Sequence, residues 1–360
     1  MMKSLPSYKK ILVINIFGVG DVLFTTPLLR NIKLALPGVT IGYVCNKRTV
    51  DLLFNNPDIH RVHVYEKDDF ENLWKKSKVA FLKRIAHFFD EIKKQHYDLV
   101  IDVSLNKYSS FFALVAGIKE RVGFDYKKRG FWLTKKTTLM GYEGKHVVDF
   151  YLDFLTQLGI PAKERHLQVS LSSEDVAWAK QFLQAQGVKP SDRLVAVVPG
   201  GGASWGKTAE YKRWPAKRYA KLADKVIEKY HAKIILIGDD SEQALCQDVV
   251  SDMTLPCIKS FGKTTLGQFA ALLEQCSLAI VNDGGPLHLA VALGVRTISL
   301  FGPVDEHVYG PYPKDNHETV VSSVSCRPCY RRFRVVDCGH HQCLQRISVE
   351  DVLSRIGELR

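Results

Sequence analysis

The stretch 277–303, SLAIVNDGGPLHLAVALGVRTISLFGP, limits the possible fold of this chain more than any other. Its first apolar run, 278–281, has the length of a buried strand, and the turn residues at 282–285 end that run. Pro286 suits the first turn of a helix, where a missing N–H costs no hydrogen bond. A second apolar run follows at 295–300. The pattern predicts a strand, glycine loop, helix and strand of a parallel α/β sheet.

The glycine loop of this stretch is a candidate anion site. Free backbone N–H groups and the positive end of the helix dipole both face the mouth of such a loop, where phosphate commonly binds. Asp283 lies at the carboxyl end of the strand, and His288 lies in the first turn of the helix. A structural interpretation is equally open from this motif alone, with Asp283 as a helix cap and His288 as a buried histidine.

The same order of elements occurs in both halves of the chain. In the first half, an apolar run at 11–17 leads into Gly18-Val19-Gly20-Asp21 and a helical pattern at 22–36. In the second half, a run at 194–198 precedes a glycine loop and a helical pattern at 215–230. With 360 residues, the chain is long enough for two α/β domains. We expect the carboxyl ends of both sets of strands to face a common cleft.

The net charge and the composition of the chain limit the classes of molecule that it is expected to bind. The net charge of +12 favours an anionic partner, such as a phosphorylated substrate, nucleic acid or an acidic membrane surface. No zinc-finger spacing, RNA-binding motif or long basic tract in the chain points to nucleic acid, so we expect no nucleic acid partner. No apolar run is long enough to span a bilayer, and the basic start lacks a cleavage site, so we expect neither a membrane span nor a signal peptide. The scattered Cys45, Cys246, Cys257 and Cys276 are typical of reduced core thiols in a cytoplasmic protein.

The first glycine loop does not fit a dinucleotide site. The G-x-G-x-x-G pattern would require glycine where Leu23 stands, and no acidic residue ends the second strand at Cys45-Asn46. With a dinucleotide site excluded, Asp21 is the one side chain of this loop with a candidate chemical function. It is either an N-cap of the following helix or a general base, which the small glycines would let a substrate approach closely.

Lys212 is the main cationic candidate of the second half. It precedes the helix that starts near Pro215, a position that is electrostatically unfavourable unless an anion lies between the lysine and the helix dipole. Asp-x-Asp is the usual acidic pair that holds a metal-bound nucleotide sugar, and no such sequence occurs in the chain. The charge of a departing pyrophosphate would therefore be met by Lys212, His288 and helix N-termini.

Four segments together resemble glycosyltransferase family 9, the ADP-heptose:lipopolysaccharide heptosyltransferases. They are NIFGVGDVLFTTPLLRNIK, ERVGF, the Lys-Arg-Trp-Pro element at 212–215 and NDGGPLHLAVALGVRTISLFGP. The resemblance implies the α/β GT-B fold, in which two Rossmann-like domains face each other across a cleft. It implies an acceptor domain at 1–170, a donor domain at 171–340, and a C-terminal helix at 341–360 that packs back on the first domain.

The resemblance also implies an activity, namely inverting transfer of a heptose from ADP-heptose to the lipopolysaccharide inner core without a cofactor or catalytic metal. By matched position Asp21 would be the catalytic base, Lys212 would contact the diphosphate, and Glu242 the adenosine ribose. The other implied contacts are Ser204, Asp283, Gly284, Gly285 and His288 on the donor side, and Gly20 and Arg121 on the acceptor side. The implied location is the inner face of the cytoplasmic membrane, with the anionic core acceptor as partner.

Two alternatives stay open at this point. One is a related transferase that uses another nucleotide sugar or acceptor, and the other is a nucleotide-binding protein that has lost catalysis. Gly284 stands where family members commonly carry Ser or Thr, which favours the second alternative. Intact Asp21, Lys212, Asp283 and His288 favour an enzyme.

Four cysteines are grouped near the end of the chain. Cys326, Cys329, Cys338 and Cys343 follow a C-x2-C-x8-C-x4-C spacing, with His340 and His341 inside it. This spacing resembles that of a structural zinc site. Packed reduced thiols and a disulfide are the alternatives, and a reducing compartment disfavours the disulfide.

Overall fold

The computed structural model describes residues 7–201 and 203–359, without the side chains of Ala203, Ser204 and Lys207. The chain divides into two compact units. The first unit comprises residues up to Tyr142 together with Val147–Arg165, and the second comprises Glu143–His146 together with the residues from His166 onward. The boundary predicted from the sequence was at 170/171.

The first unit is built on a six-stranded parallel sheet with the order β3-β2-β1-β4-β5-β6. Its strands are β1 (Lys10–Ile14), β2 (Thr40–Cys45), β3 (Arg61–Val64), β4 (Leu99–Asp102), β5 (Glu120–Tyr126) and β6 (Lys135–Leu139). Its helices are α1 (Val19–Phe24), α2 (Thr26–Ala35), α3 (Val50–Phe54), α4 (Lys67–Lys76), α5 (Lys78–Lys93), α6 (Ser109–Val115) and α7 (Val147–Leu158).

The core of this unit lies on both faces of the sheet, because its central strands β1 and β4 are buried along nearly their whole length. Side chains of β1 and β4 such as Leu12 and Val100 pack against Phe88 and Ile92 of α5. Elsewhere in the same unit, α2 packs against α7. The sequence predicted one helix over 22–36, but the structure has two, because Pro27 lacks the N–H that a continuous helix would need.

The second unit repeats this architecture with the strand order β12-β11-β10-β7-β8-β9, again parallel throughout. Its strands are β7 (Leu194–Val198), β8 (Lys233–Leu236), β9 (Ile258–Lys259), β10 (Leu278–Asn282), β11 (Thr297–Leu300) and β12 (Glu318–Val320). Its helices are α8 (Ser173–Ala185), α9 (Ala216–Tyr230), α10 (Gln243–Asp252), α11 (Leu266–Glu274), α12 (Gly285–Ala292), α13 (Glu306–Tyr309), α14 (Gln342–Gln345) and α15 (Val349–Leu353). Short 3₁₀ segments lie at Lys47–Thr49 in the first unit and at Ala203–Lys212 and Asp240–Glu242 in the second.

The end of the chain packs on the second unit. Val352 and Ile356 are fully buried in the core that α9 forms with the second sheet. Trp214 Nε1 donates a hydrogen bond to the carbonyl of Ile347 at 3.0 Å, and Arg296 binds the carbonyl of Arg355 at 2.9 Å. The apolar side chains of this segment complete the core of the second unit beside α9. Its packing on the first domain, which the resemblance implies, stays a prediction.

Within the described ranges, no helix has both the length and the apolar character that crossing a membrane would require.

We predict that His63 makes the stability of the protein depend on pH. Burial, and then the charge of Arg61, lower the pKa of His63 to about 4, and its Nε2 lies 2.9 Å from the hydroxyl of Tyr97. Between pH 6.5 and pH 4 the unfolded chain therefore binds more protons than the folded chain, so stability falls as the pH falls. Replacing His63 by Gln should reduce the loss of unfolding free energy between pH 7.5 and pH 5 by about 2 kcal/mol.

Urea unfolding of both proteins at the two pH values measures this difference. The other titrating groups are common to wild type and H63Q, so the comparison isolates His63. An equal loss of stability in the two proteins would contradict the prediction.

Candidate functional site in the second unit

The candidate site is built at the carboxyl edge of the second sheet, where the loops after β7 and β10 lie side by side. The two strands are paired along their length, with Val281 opposite Val198. The side chain of Asn282 joins the loops. Its Nδ2 donates to the carbonyls of Pro199 at 2.7 Å and Gly200 at 3.1 Å, and its Oδ1 accepts from the N–H of Trp214 at 3.3 Å. Asn282 thus fixes three backbone segments, a function that its turn position in the sequence did not indicate.

Glycines in these loops leave room for close approach of other groups. A Cβ added at Gly200 would lie 1.9 Å from Glu242 Oε1, so any side chain there would displace the carboxylate. A Cβ added at Gly284 would lie 3.2 Å from the carbonyl oxygen of Gly201. Glycine at both positions therefore brings the two loops and Glu242 together.

Glu242 is a buried carboxylate at the end of a 3₁₀ turn that follows β8. It is 4% exposed, and its Oε2 accepts from the N–H of Asp239 at 3.5 Å as part of a capping box. The charge of Glu242 changes the pKa of the neighbouring Cys246. Burial first, and then the charge of Glu242, raise the pKa of Cys246 to about 12. The structure therefore brings Glu242 to the same sheet edge as the glycine loop.

A buried ion pair joins Lys212 and Asp283. Lys212 Nζ lies 2.8 Å from Asp283 Oδ2, and the two side chains are 9% and 5% exposed. Within the described part of the chain Asp283 Oδ2 has no hydrogen-bond donor apart from this ammonium group, so Lys212 is the partner that offsets its charge. Lys212 Nζ also lies 4.0 Å from the centre of the Trp205 ring. The sequence predicted Lys212 and Asp283 separately but gave no sign of their contact, nor of the part played by Trp205.

The helix that follows Asp283 starts without a side-chain cap. Gly284 is the N-cap of α12 and supplies no capping hydrogen bond, and Gly285 is the first helical residue. Uncapped N–H groups at the start of a helix are donors for an anion, and the dipole adds to this effect. The alternative interpretation of Asp283 as the helix cap is wrong, because the cap position belongs to Gly284.

His288 lies on α12 and is 3% exposed. Burial lowers its pKa well below the usual value, and the charges of His146 and Lys212 lower it further, so its imidazole is neutral at pH 7. His146 belongs to the same unit. Its Nε2 donates to the carbonyl of Gly310 at 3.1 Å and its ring stacks on Tyr312 with centroids 4.5 Å apart. No sequence motif indicated His146.

Ser204, the remaining donor-side residue predicted from the sequence, has its side chain outside the described residues.

The predicted residues of the first unit lie around α1. Asp21 is a partly exposed residue in the first turn of this helix, together with Gly20. The N-cap is Gly18 and no side chain caps the helix, so Asp21 is not an N-cap. Asn15 Nδ2 donates to the backbone carbonyl of Asp21 at 2.9 Å. This contact ties the start of α1 to the end of β1.

Arg121 is bound to the backbone of its own unit. Its Nε donates to the carbonyl of Trp132 at 2.6 Å, and its Nη1 donates to those of Ile118 at 2.6 Å and Lys119 at 2.9 Å. Strand pairing places it opposite Val100, before the carboxyl end of β4. These contacts give Arg121 a structural role in holding the loop after β5, and its contact with an acceptor stays a prediction.

The four grouped cysteines are free thiols. Cys343 is buried, and burial raises its pKa, with a further effect from the neighbouring Cys329. Cys338 Sγ lies 3.6 Å from His340 Nδ1. In the described part of the chain, the one group of potential ligands close enough together for a metal ion is Asp305, Glu306 and His307. The disulfide alternative is therefore absent from the described thiols, and the choice between zinc ligands and packed reduced thiols stays a prediction.

Comparison with known proteins agrees with this architecture. The family model "Glycosyltransferase family 9 (heptosyltransferase)" matches residues 85–340, more than half of the chain. Lipopolysaccharide heptosyltransferase 3 of Escherichia coli is 25% identical over 302 residues, which cover 81% of this chain and 83% of that protein.

Two solved structures extend the likeness to nearly the whole chain. A glycosyl transferase family 9 protein from Veillonella parvula DSM 2008 is 27% identical with a TM-score of 0.82, and the match covers 97% of this chain and 96% of that one. E. coli ADP-heptose lps heptosyltransferase II has a TM-score of 0.75 at 21% identity, covering 97% and 98%.

The two parallel six-stranded α/β units have the GT-B fold, and the family match makes the chain a glycosyltransferase. More narrowly, the chain belongs to glycosyltransferase family 9, the heptosyltransferases. The fold class and the enzyme class predicted from the four sequence segments are thereby confirmed.

We predict that a methyl group at position 200 destabilises the second unit by displacing Glu242. Gly200→Ala should lower the free energy of unfolding by about 1–3 kcal/mol, the usual cost of overpacking a buried site. The matched control is Gly38→Ala, since a Cβ there would meet no atom within 4 Å. Chemical denaturation of both variants measures the effect.

The double variant G200A/E242A tests the cause. Removing the carboxylate should make the added methyl group nearly neutral relative to E242A alone. If G200A and G38A were equally stable, the close contact between Gly200 and Glu242 would be refuted.

Proposed function

We propose that this protein transfers a heptose from ADP-heptose to the inner core of lipopolysaccharide, with inversion at the anomeric carbon. The observation that carries the proposal is the buried Lys212–Asp283 pair beside the uncapped start of α12 and the neutral His288. Family membership supplies the class of reaction, and the names of the relatives supply the donor and acceptor.

The diphosphate of the donor is assigned to the start of α12. A diphosphate can replace Asp283 as the partner of Lys212, because it carries more negative charge than one carboxylate and offers several acceptor oxygens. The N–H groups after Gly284 and an N–H of neutral His288 add further donors. Together these groups meet the negative charge that grows on the departing ADP.

The nucleoside end of the donor is assigned to Glu242. A buried carboxylate can accept hydrogen bonds from both hydroxyls of a ribose. The carboxylate lies directly against the backbone of Gly200, because a Cβ added there would lie 1.9 Å from Glu242 Oε1. The glycine loop after β7 and the 3₁₀ turn after β8 would then hold the ribose between them, with the diphosphate at the start of α12.

Asp21 is assigned as the general base. It takes the proton of an acceptor hydroxyl as the oxygen's electron pair forms a bond to the anomeric carbon. The bond between that carbon and the diphosphate oxygen breaks, and ADP leaves with the electron pair from the opposite face. A single displacement of this kind needs one base and inverts the configuration.

The acceptor is proposed from charge. A net charge of +12 suits a lipopolysaccharide core, which carries phosphates and carboxylates. We further propose that the protein works in the cytoplasm, peripherally at the inner face of the membrane where such an acceptor is embedded.

Gly284 favours one other candidate, a nucleotide-binding protein without catalysis. It lacks the hydroxyl that family members commonly place there, and its backbone alone caps α12. Calorimetry with ADP and a transfer assay with ADP-, UDP- and GDP-sugars separate the candidates. Binding of ADP without transfer from any sugar would support the non-catalytic protein, and transfer from UDP- or GDP-sugars alone would assign another donor.

We predict that Asp21→Asn abolishes transfer and leaves binding of ADP unchanged. The amide has the shape of the carboxylate but cannot accept the proton, and general-base catalysis contributes roughly 10²–10⁴-fold to rate. The control is Asp51→Asn, an exposed acidic residue in the first turn of α3. Initial rates with ADP-heptose and truncated core acceptors, together with calorimetry, provide the measurement. Full activity of D21N would show that another group is the base.

We predict that the charge of Lys212 contributes to ADP binding. The double variant Lys212→Met/Asp283→Asn removes both charges, so neither side chain is left as a buried unpaired ion. Loss of one charge-assisted hydrogen bond should weaken ADP by about 10- to 100-fold. Lys229→Met, at the exposed far end of α9, is the control and should bind ADP like wild type. Unchanged affinity in the double variant would place the diphosphate elsewhere.

A further inference from the structure

An open groove on the first unit combines aromatic rings with basic side chains. Its volume is about 410 Å³, and it lies between the start of α6 and the loop after β5. The lining side chains, called here the aromatic–basic groove, are Lys107, Tyr108, Phe111, Lys128, Arg129, Phe131 and Trp132.

The aromatic side chains of the groove are unusually exposed for their size. Phe131 is 76% exposed and Tyr108 52%, and Leu114 and Val115 continue the apolar surface along α6. The rings form one cluster, since Trp132 lies 4.9 Å from Phe131 and 5.4 Å from Phe111 between ring centroids. A contiguous exposed apolar patch of this kind marks an interaction surface.

The loop that carries these rings is held through its backbone. Arg121 binds the carbonyl of Trp132, and the N–H of Gly130 donates to Asp125 Oδ1 at 2.9 Å. Gly130 also allows close packing, since a Cβ there would lie 3.0 Å from the Cβ of Asp125. The loop is therefore fixed in place without using the ring of Phe131, which projects into solvent.

The cations of the groove have no acidic partners. Across residues 7–201 and 203–359, no salt bridge involves Lys107, Lys128 or Arg129. Lys107 Nζ lies 4.6 Å from the centre of the Tyr108 ring, at the edge of the aromatic cluster. Uncompensated positive charge around an apolar surface is complementary to an anionic surface with an apolar interior.

We propose that the aromatic–basic groove docks the protein on a bilayer of anionic phospholipid. Aromatic rings insert at the level of the lipid headgroups, and lysine and arginine bind the phosphates around them. The aliphatic Leu114 and Val115 beside the rings favour a bilayer over single-stranded nucleic acid, which would use the rings for base stacking. The inference deepens the membrane-peripheral location in the proposed function and rests on that part of it.

Vesicle co-sedimentation of the full chain tests this surface without donor or acceptor. Vesicles of phosphatidylglycerol and phosphatidylethanolamine should bind the protein at least tenfold more strongly than phosphatidylcholine vesicles, and 0.5 M NaCl should weaken binding by a similar factor. Phe131→Ser/Trp132→Ser and Lys128→Glu/Arg129→Glu should each reduce binding at least tenfold. The controls are Phe54→Ser, which removes a ring that is 77% exposed outside the groove, and Lys180→Glu on α8.

Several results would overturn the proposal. One is that wild type and both groove variants bind vesicles equally well. A second is that wild type binds anionic and neutral vesicles equally well. A third is that the groove variants change their oligomeric state but still bind vesicles like wild type. Preferential binding of single-stranded RNA through the groove would also overturn it. Transfer to a soluble, delipidated core acceptor is measured separately. Wild type that binds vesicles but performs no transfer would contradict the proposed reaction and leave the docking surface standing.

Discussion

The buried contact between Lys212 and Asp283 is the interaction on which the second unit's site depends. Two opposite charges are withdrawn from water, with Lys212 Nζ 2.8 Å from Asp283 Oδ2. Desolvation of such a pair costs several kcal/mol for each ion, and the mutual attraction offsets this only in part. Because Asp283 Oδ2 has no second donor in the described part of the chain, a phosphate with more charge and more acceptor oxygens can compete with Asp283 for the lysine.

The surrounding residues keep this pair at the edge of the sheet. Asn282 joins the loops after β7 and β10 by donating hydrogen bonds to the carbonyls of Pro199 and Gly200. These bonds hold the backbone next to Asp283 in position. Trp205 lies against the ammonium group of Lys212. His288 stays neutral because burial and nearby positive charge oppose its protonation. The site thus combines one strong positive charge with neutral donors, which suits a ligand that gains charge as it leaves.

Local patterns in the sequence predicted much of this fold. The apolar runs at 194–198 and 278–281 coincide with β7 and β10 almost residue for residue, because a buried parallel strand leaves an uninterrupted apolar run. The glycine loop and Pro286 likewise located the start of α12. The division of one long helical pattern into α1 and α2 was missed, although Pro27 was its signal.

Contacts between distant parts of the chain could not be predicted in this way. The pairing of Lys212 with Asp283 follows from which strands are neighbours in the sheet, and periodicity carries no such information. The same holds for Arg121, whose hydrogen bonds to backbone carbonyls depend on the path of the loop after β5. The final segment was assigned to the first domain by resemblance, whereas its contacts with α9 follow from apolar side chains that the second core accommodates.

A crystal structure of the protein with ADP bound would test the central claim directly, namely that the diphosphate exchanges with Asp283 at Lys212. The account predicts a diphosphate oxygen within about 3 Å of Lys212 Nζ, with N–H groups at the start of α12 donating to the same phosphates and Asp283 moved away from the lysine. A structure in which ADP is bound while Lys212 still contacts Asp283 and no phosphate lies at α12 would contradict it.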